Sequence, residues 1–247
     1  MRKRCVHTAR LCGSARPPAL CALIGLAALV AGCSAPKAVR TYEYLADYQR
    51  MSDQFEPLVS LVYMPQGARF VDYKTLVIGD VDVGELWVED REAALGYATR
   101  FRTSLANRFS QRRTFEVVSL DPAAEAGPGL PGPLVRMEGK VTVFDLGSGW
   151  QRYFSYWFPP FERGASDFQI EARFRDAQSG ALVMELADRR RHLGNTPFGP
   201  YWKTFKSGFV MSHTVKLTSQ CLAEVVDRAR NGLSENLGID AQSELEW

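Results

Sequence analysis

Hydrophobic and polar positions recur with two different periods along the chain, and these periods predict strands and helices. Residues 74–83 (KTLVIGDVDV) are rich in β-branched side chains and almost unbroken in hydrophobicity at their start, which predicts a central strand covered on both faces. Acidic residues open the next segment, and apolar residues then recur at helical spacing as far as about residue 112. This spacing predicts an amphipathic helix, whose apolar face is formed by Ala94, Ala98, Phe101, Leu105 and Phe109.

Two strands separated by a long loop are predicted next. Residues 115–120 (FEVVSL) indicate a short strand, and the prolines and glycines of 121–133 indicate an irregular loop. Residues 134–146 then alternate over a length typical of a long strand, with Gly139 as a candidate bulge.

The last third of the chain predicts a hairpin and a second helix. Apolar and polar residues alternate strictly over 168–175, which is typical of a sheet with one solvent-facing side. Turn residues at 176–180 join this strand to a second one at 181–187. A helix is predicted from about residue 209 to residue 230, and its apolar stripe contains Leu217, Cys221, Val225 and Ala229.

Counted without the short strand at 115–120, the order strand-helix-strand-strand-strand-helix predicts a single α/β (α+β) domain. Its sheet is mixed and mostly antiparallel, and the two main helices pack on one face of it. We assign this domain to residues 71–235, with aromatic insertions at 147–165 and 194–209. Residues 33–70 are predicted to form a tether and an irregular packing segment, and 236–247 a C-terminal tail.

The N-terminus has the composition of an export signal. A basic stretch precedes a 13-residue apolar run at 19–31, which is shorter than the roughly 20 residues that a membrane-spanning helix needs. Residues 1–32 are therefore predicted to be a signal peptide. Val30-Ala31-Gly32-Cys33 resembles the bacterial lipobox, which implies cleavage before Cys33 and attachment of diacylglycerol to its sulfur. An ordinary signal peptide with a fortuitous cysteine is the alternative.

The residue after Cys33 bears on where the protein resides. Inner-membrane retention usually requires Asp at this position, and Ser34 stands there instead. The sequence therefore predicts a lipid anchor in the outer membrane, with the domain facing the periplasm. The membrane that holds this lipid anchor is then the first predicted partner of the protein.

The net charge and the number of cysteines restrict the kinds of partner and of disulfide bond that are expected. The whole chain has a net charge of +2, but residues 33–247 contain 25 basic and 28 acidic side chains, a net charge of −3. A general nucleic-acid partner is therefore not expected. After cleavage and lipidation only Cys221 carries a free thiol, so no intramolecular disulfide is expected, and its place on a helical stripe favours a buried residue over a nucleophile.

No constellation of residues predicts catalysis, a metal or a cofactor. His192 and His213 lie in different predicted elements, and neither has a second ligand at close spacing. Carboxylates at 80, 82 and 85 could bind a cation, although solvent-facing acids are the favoured interpretation. Arginines on the first helix and at 189–191 could bind anions, although solvated faces are favoured. An enzyme acting on an envelope substrate is the alternative function, and its candidate residues are Asp80, Asp82, Arg190 and His192.

Aromatic residues concentrate in the two insertions. Residues 150–161 contain seven aromatics and 198–209 contain five, so these two segments hold 12 of the 28 aromatics in the chain. A second small core, a partner or ligand surface and a membrane contact all remain open. The leading hypothesis is a non-catalytic binding or envelope-assembly module whose partner is an envelope protein or lipid; a structural envelope component is a further alternative. The candidate contact residues are Trp150, Tyr153, Tyr156, Trp157, Phe158, Tyr201 and Trp202.

Four motifs stand in order between residues 40 and 232: Tyr44-Leu45-Ala46-Asp47-Tyr48, Leu61-Val62-Tyr63-Met64-Pro65 with Tyr73-Lys74, Glu171 to Asp176 with Ser179-Gly180, and Asp188-Arg189-Arg190. Together they resemble one family of bacterial lipoproteins catalogued as a domain of unknown function. The resemblance implies a periplasm-facing outer-membrane lipoprotein and supplies no catalytic residues. The order of elements is also similar to the anticodon-binding-like domain of TolB and of the curli secretion lipoprotein, an analogy of fold alone.

Overall fold

The computed structural model divides the chain into two units, residues 1–34 and residues 35–247. The predictions for the signal peptide, for Cys33 and for the C-terminal tail lie outside the residues that the structure describes. Those residues are 38, 44, 45, 48–53, 55, 56, 58–123, 130–148, 151, 165–192, 195, 196, 199, 200 and 207–231.

Strands and helices follow one another largely in the predicted order. The described elements are β1 (Leu61–Tyr63), a 3-10 turn (Phe70–Asp72), β2 (Thr75–Asp82), α1 (Val88–Arg112), β3 (Val117–Ser119), β4 (Leu134–Asp145), β5 (Ser166–Asp176), β6 (Leu182–His192), the short pair β7 (Asn195–Thr196) and β8 (Gly199–Pro200), and α2 (Ser207–Arg230).

Six of these strands form one mixed sheet in the order β1-β6-β5-β4-β2-β3. The pairs of β2 with β3 and with β4 are parallel, and the other three pairs are antiparallel. The predicted class, a mixed α+β domain with two helices, is thereby confirmed. Strand β1 was missed because three residues are too few to show a period. Its outer edge is taken by Ser52, which exchanges two backbone hydrogen bonds with Val62, at 2.8 and 2.9 Å.

The main core lies between one face of the sheet and the two helices. All five apolar positions predicted for α1 are buried, and Phe101 meets Phe168 of β5 with ring centroids 6.3 Å apart. The helices run parallel, since Tyr97 contacts Gly208 near their N-termini and Arg112 pairs with Glu224 near their C-termini. On α2 the predicted stripe is wrong at Leu217, which is 38% exposed.

The β5–β6 hairpin has the turn that its residues predict. The Asp176 carboxylate accepts hydrogen bonds from the backbone N–H groups of Gln178 and Ser179, at 3.1 and 2.6 Å. Gly180 has φ +71°, a conformation that side chains disfavour. Bonds from Ser179 hold the pKa of Asp176 below its usual value.

The predicted bulge at Gly139 is wrong in position. The register between β2 and β4 shifts between Ile78 and Val81, so β2 carries the extra residue. A second shift, between Val141 and Val143, places an extra residue in β4 against β5. Gly139 instead provides close packing, because a Cβ atom there would lie 3.3 Å from Val81.

The predicted solvent-facing side of the sheet is buried. Gln169 and Glu171 of β5 point away from the helices, yet both are 0% exposed. A second apolar cluster covers this face, formed by Ala38, Leu45, Met51, Leu61 and Ala187. We call residues 44–53 the N-terminal strap and the covered face the polar face. Alternation identified the side chains that share this face, but not the segment that covers it.

One prediction concerns the end of α1. Arg113 follows the helix with φ 56°, and its N–H closes the helix on Phe109 and Ser110. A left-handed conformation costs an L-residue about 1 kcal/mol, so Arg113→Gly is expected to raise the free energy of unfolding by up to this amount. Arg108→Gly, inside the helix, is expected to lower it by about 1 kcal/mol. Urea denaturation of both variants measures the difference, and a shared sign would contradict the assignment.

Candidate functional site

The topology gathers the two aromatic insertions at one end of the domain. The first joins the end of β4 to the start of β5, and the second joins the end of β6 to the start of α2. Their bases touch, because the Ser207 hydroxyl donates to the Gly147 carbonyl at 2.9 Å. The Ser166 hydroxyl likewise donates to the His192 carbonyl at 3.2 Å. We call this end, which includes the N-termini of α1 and α2, the loop end.

The predicted contact residues within the insertions stay predictions. The following positions lie outside the described residues: Trp150, Tyr153, Tyr156, Trp157, Phe158, Tyr201 and Trp202. The structure therefore places only the described bases of the two insertions at one end of the domain.

The loop end also exposes apolar side chains that sequence reasoning missed. Trp87 is 84% exposed, Val88 is 77% exposed and Phe209 is 47% exposed. Trp87 occupies the N-cap position of α1, where its side chain makes no capping hydrogen bond. The sequence does mark this exposed apolar site, because the Trp-Val pair stands directly before the acidic residues of the first turn. A tryptophan at a helix start would ordinarily be expected to pack inward.

The Tyr97 side chain connects α1 to the start of α2 at this end. Its hydroxyl donates to the Gly208 carbonyl at 3.2 Å, and its ring lies 5.7 Å from that of Phe144. A Cβ atom on Gly208 would come within 3.0 Å of the same hydroxyl. A larger residue at this position would displace the Tyr97 hydroxyl, whose hydrogen bond connects the start of α2 to α1.

The two histidines, predicted to lie apart, come together at the loop end. The rings of His192 and His213 are 5.3 Å apart and tilted by 39°. The expectation that they do not converge was wrong, because β6 ends beside the exposed side of α2. Within the described residues no group of three or more His, Cys, Asp or Glu side chains could hold a metal ion. The pair alone supplies too few ligands for a structural or catalytic zinc site.

The four candidate enzyme residues are not brought into one cleft. Strands β4 and β5 lie between β2, which carries Asp80 and Asp82, and β6, which carries Arg190 and His192. Three strand spacings amount to about 14 Å. Asp80 pairs with Arg102 at 2.8 Å, and the Asp82 carboxylate accepts the Gly84 N–H at 2.8 Å. Asp82 therefore stabilises the turn into α1, and Asp80 connects β2 to the middle of that helix.

Arg190 forms a buried ion pair beneath α2. Its Nε lies 2.9 Å from the carboxylate of Asp188, which is 0% exposed. The Ser60 backbone N–H donates to the same carboxylate at 3.3 Å. Cys221 faces this pair, and burial raises the pKa of its thiol. The buried, protonated thiol agrees with the interpretation of Cys221 as a small core residue.

A hydrogen-bond network fixes the N-terminal strap to the polar face. Glu171 accepts bonds from Thr142 and Gln169, at 3.0 and 2.9 Å, and a further bond from the Tyr48 hydroxyl. Burial raises the pKa of Glu171, and burial beside this carboxylate also raises the pKa of Tyr48. The phenol therefore stays protonated and acts as the donor.

Tyr44 supplies the second attachment of the strap. The guanidinium of Arg173 lies 4.0 Å from the centre of its ring, a cation–π contact. Arg173 also donates to the Tyr44 carbonyl. The motif at 44–48 thus contacts the motif that begins at Glu171, so two of the sequence motifs meet across the sheet.

Solved structures similar to this chain come from several bacteria. A PelC dodecamer from Paraburkholderia phytofirmans matches with 12% identity and a TM-score of 0.39, over 66% of this chain and 96% of that one. A proposed lipoprotein from Caulobacter crescentus matches with 10% identity and a TM-score of 0.33, over 66% and 93%. A DUF330 protein from Xanthomonas campestris matches with 8% identity and a TM-score of 0.36, over 69% and 91%.

Sequence comparison adds no relative. No protein-family model matches the chain, and no curated protein matches it. The described helices include none with the length and apolar content needed to cross a membrane. The resemblance to TolB and to the curli lipoprotein stays a prediction.

The raised pKa of Glu171 generates a prediction. The folded state keeps this proton at pH values where the unfolded state, with a pKa of about 4.3, has released it. Unfolding free energy therefore falls as the pH rises above this value. Glu171→Gln removes the cost of ionisation while it keeps an oxygen acceptor for Tyr48. We expect the stability of the variant, relative to the parent, to increase as the pH rises above about 4.

Urea denaturation at several pH values measures this difference. Glu138→Gln is the matched control, since Glu138 lies in the neighbouring strand with its side chain 37% exposed. A difference between the Glu171→Gln variant and the parent that stays constant with pH would show that Glu171 does not titrate as described.

Proposed function

We propose that the protein is a lipid-anchored outer-membrane lipoprotein that faces the periplasm and acts as a non-catalytic binding module. Its loop end binds a protein of the envelope. The observation that carries this proposal is the 84% exposure of Trp87 at the start of α1, at the end of the domain where the described bases of both aromatic insertions also lie. Tryptophan exposed at a rigid element is a typical anchor of protein interfaces.

The rigidity of this end supports binding rather than a loosely covered core. Trp87 and Val88 stand at the start of a 25-residue helix, and Tyr97 joins that helix to the start of α2. Because the scaffold is fixed before a partner arrives, little ordering entropy is lost on binding. The two insertions hold 12 aromatics in sequence, and the described bases of both lie at this end.

The charges around Trp87 favour a protein over a lipid surface. Glu89, Asp90 and Glu92 stand within five residues of it in sequence, with Arg91 among them. Glu89 and Glu92 are exposed, while Glu85 pairs with Lys140. Anionic headgroups would be repelled by these carboxylates, whereas a protein with a basic rim would be attracted. The proposed partner is therefore an envelope protein that places an apolar pocket inside a basic rim.

The alternative functions have less support in the described residues. The candidate enzyme residues lie on strands that two others separate. A structural component that assembles with its own copies would use the same loop end, and crosslinking distinguishes that partner by its mass.

Photo-crosslinking in cells tests the partner. A diazirine amino acid at position 87 is expected to yield a discrete protein adduct, identified by mass spectrometry. Position 217 is the matched control, because Leu217 is also an exposed apolar residue, at 38%, on the middle of α2. Lipid adducts alone at position 87, or the same adducts at both positions, would contradict the proposal.

Labelling with radioactive palmitate tests the anchor. Cys33→Ser is expected to abolish incorporation of label and to leave the signal peptide uncleaved, because the serine oxygen does not replace the thiol in lipid transfer. Cys221→Ser is the control, since this buried thiol is not the acceptor. Normal labelling of the Cys33→Ser variant would exclude Cys33 as the lipidated residue.

A further inference from the structure

The apolar cluster on the polar face contains a residue that stands close in sequence to the proposed lipid anchor. Ala38 is 8% exposed and packs with Leu45, Met51, Leu61 and Ala187. Leu61 and Ala187 are partners in the antiparallel pair of β1 with β6, and β1 is an edge strand of the sheet. The chain is therefore attached to the polar face at Ala38, near the β1 edge.

The segment between the anchor and this attachment is short. Ala38 stands only five positions after Cys33, and five residues span at most about 18 Å in any arrangement. A flexible chain of five residues spans about 12 Å on average. The inference drawn below rests on the lipid anchor at Cys33 that is proposed above. With that anchor, the attachment on the polar face stays within about 18 Å of the membrane surface.

The strap keeps the attachment in a fixed position on the domain. The Tyr48 hydroxyl donates to the buried carboxylate of Glu171, and Arg173 contacts both the ring and the carbonyl of Tyr44. Ser52 adds two backbone hydrogen bonds to β1. Because side chains and backbone both fix the strap to the sheet, the short segment from Cys33 ends at a defined point of the folded domain.

The two helices lie on the other side of the sheet. Asn107 is exposed on the outer side of α1, opposite in helical phase to the buried Phe101 and Leu105. A helix with its side chains is about 10–12 Å thick, and the sheet with the strap adds about 10 Å. The outer side of the helices is therefore about 20 Å or more from Ala38. This distance exceeds the reach of the five residues, which would also have to pass around the domain.

We propose that the domain lies on its anchoring membrane through the strap side of the polar face and turns α1 and α2 towards the periplasm. The partner of this surface is the layer of phospholipid headgroups. Three half-buried tyrosines, Tyr44, Tyr48 and Tyr63, pack around the attachment. Tyrosine is typical of protein surfaces at the level of the headgroups.

The same geometry limits how far the loop end extends from the membrane. Strand β6 continues from Ala187 to its last residue, His192, at the base of the second aromatic insertion, a distance of about 17 Å. This base therefore stays within about 40 Å of the membrane surface. The envelope protein proposed as the partner of the loop end has to present its binding pocket near that membrane.

Quenching of a fluorophore by labelled lipid tests the orientation. The acylated protein is inserted into vesicles of phosphatidylethanolamine and phosphatidylglycerol that contain a lipid with a nitroxide on its headgroup. The fluorophore is attached to Gln49→Cys on the strap or to Asn107→Cys on α1, both exposed positions. The buried thiol is removed from both proteins by Cys221→Ser. We expect quenching to be several-fold stronger at position 49 than at position 107.

Two further variants keep this comparison interpretable. Asp53→Cys places the fluorophore at another exposed position of the strap, and strong quenching is expected there even if Gln49→Cys disturbs the fold. An insertion of about twenty Gly and Ser residues after Ala35 adds a flexible segment that spans about 25 Å on average. This insertion is expected to reduce the difference in quenching between positions 49 and 107.

Labelling with radioactive palmitate separates failure of the anchor from failure of the orientation. A protein that takes up no label has no lipid anchor, a result that would overturn the proposed function and this orientation with it. A labelled protein with equal quenching at positions 49 and 107, or with stronger quenching at position 107, would overturn the orientation alone.

Discussion

A carboxylate buried in the middle of a sheet face is the constraint on which much of this structure depends. Glu171 is 0% exposed, and two of its three described donors come from the sheet itself. The third is Tyr48, which must lie across the sheet to reach it. A buried carboxylate without partners would cost several kcal/mol. The network therefore fixes the path of the strap, and with it the position of Ser52 against β1.

The elements with strong local patterns were predictable from the sequence. Helix α1 was predicted to within a residue or two because its apolar positions recur regularly and acids mark its start. The β5–β6 turn was predictable because Asp176, Ser179 and Gly180 each have a local preference. In these cases the information lies within a few neighbouring residues, and propensity and packing agree.

The parts that could not be predicted depend on contacts between distant segments. Tyr48 and Glu171 are separated by 123 positions in the sequence, and no pattern joins them before the chain folds. The same holds for His192 and His213, which meet because β6 and α2 pack together. Alternation in β5 also appears identical whether a sheet face is covered by water or by a strap. The exposure of Trp87 depends likewise on what packs beside it, which a helix-start pattern does not specify.

The two edges of the sheet determine whether neighbouring copies of the domain can pair through their strands. Both edge strands are three residues long, β1 at one side and β3 at the other, and Ser52 already occupies the outer hydrogen-bonding groups of Val62. Long open edges allow strands of separate molecules to pair and aggregate, and short or occupied edges prevent it. Within the described residues, the edges of the six-stranded sheet therefore offer neighbouring copies of the domain little strand to extend.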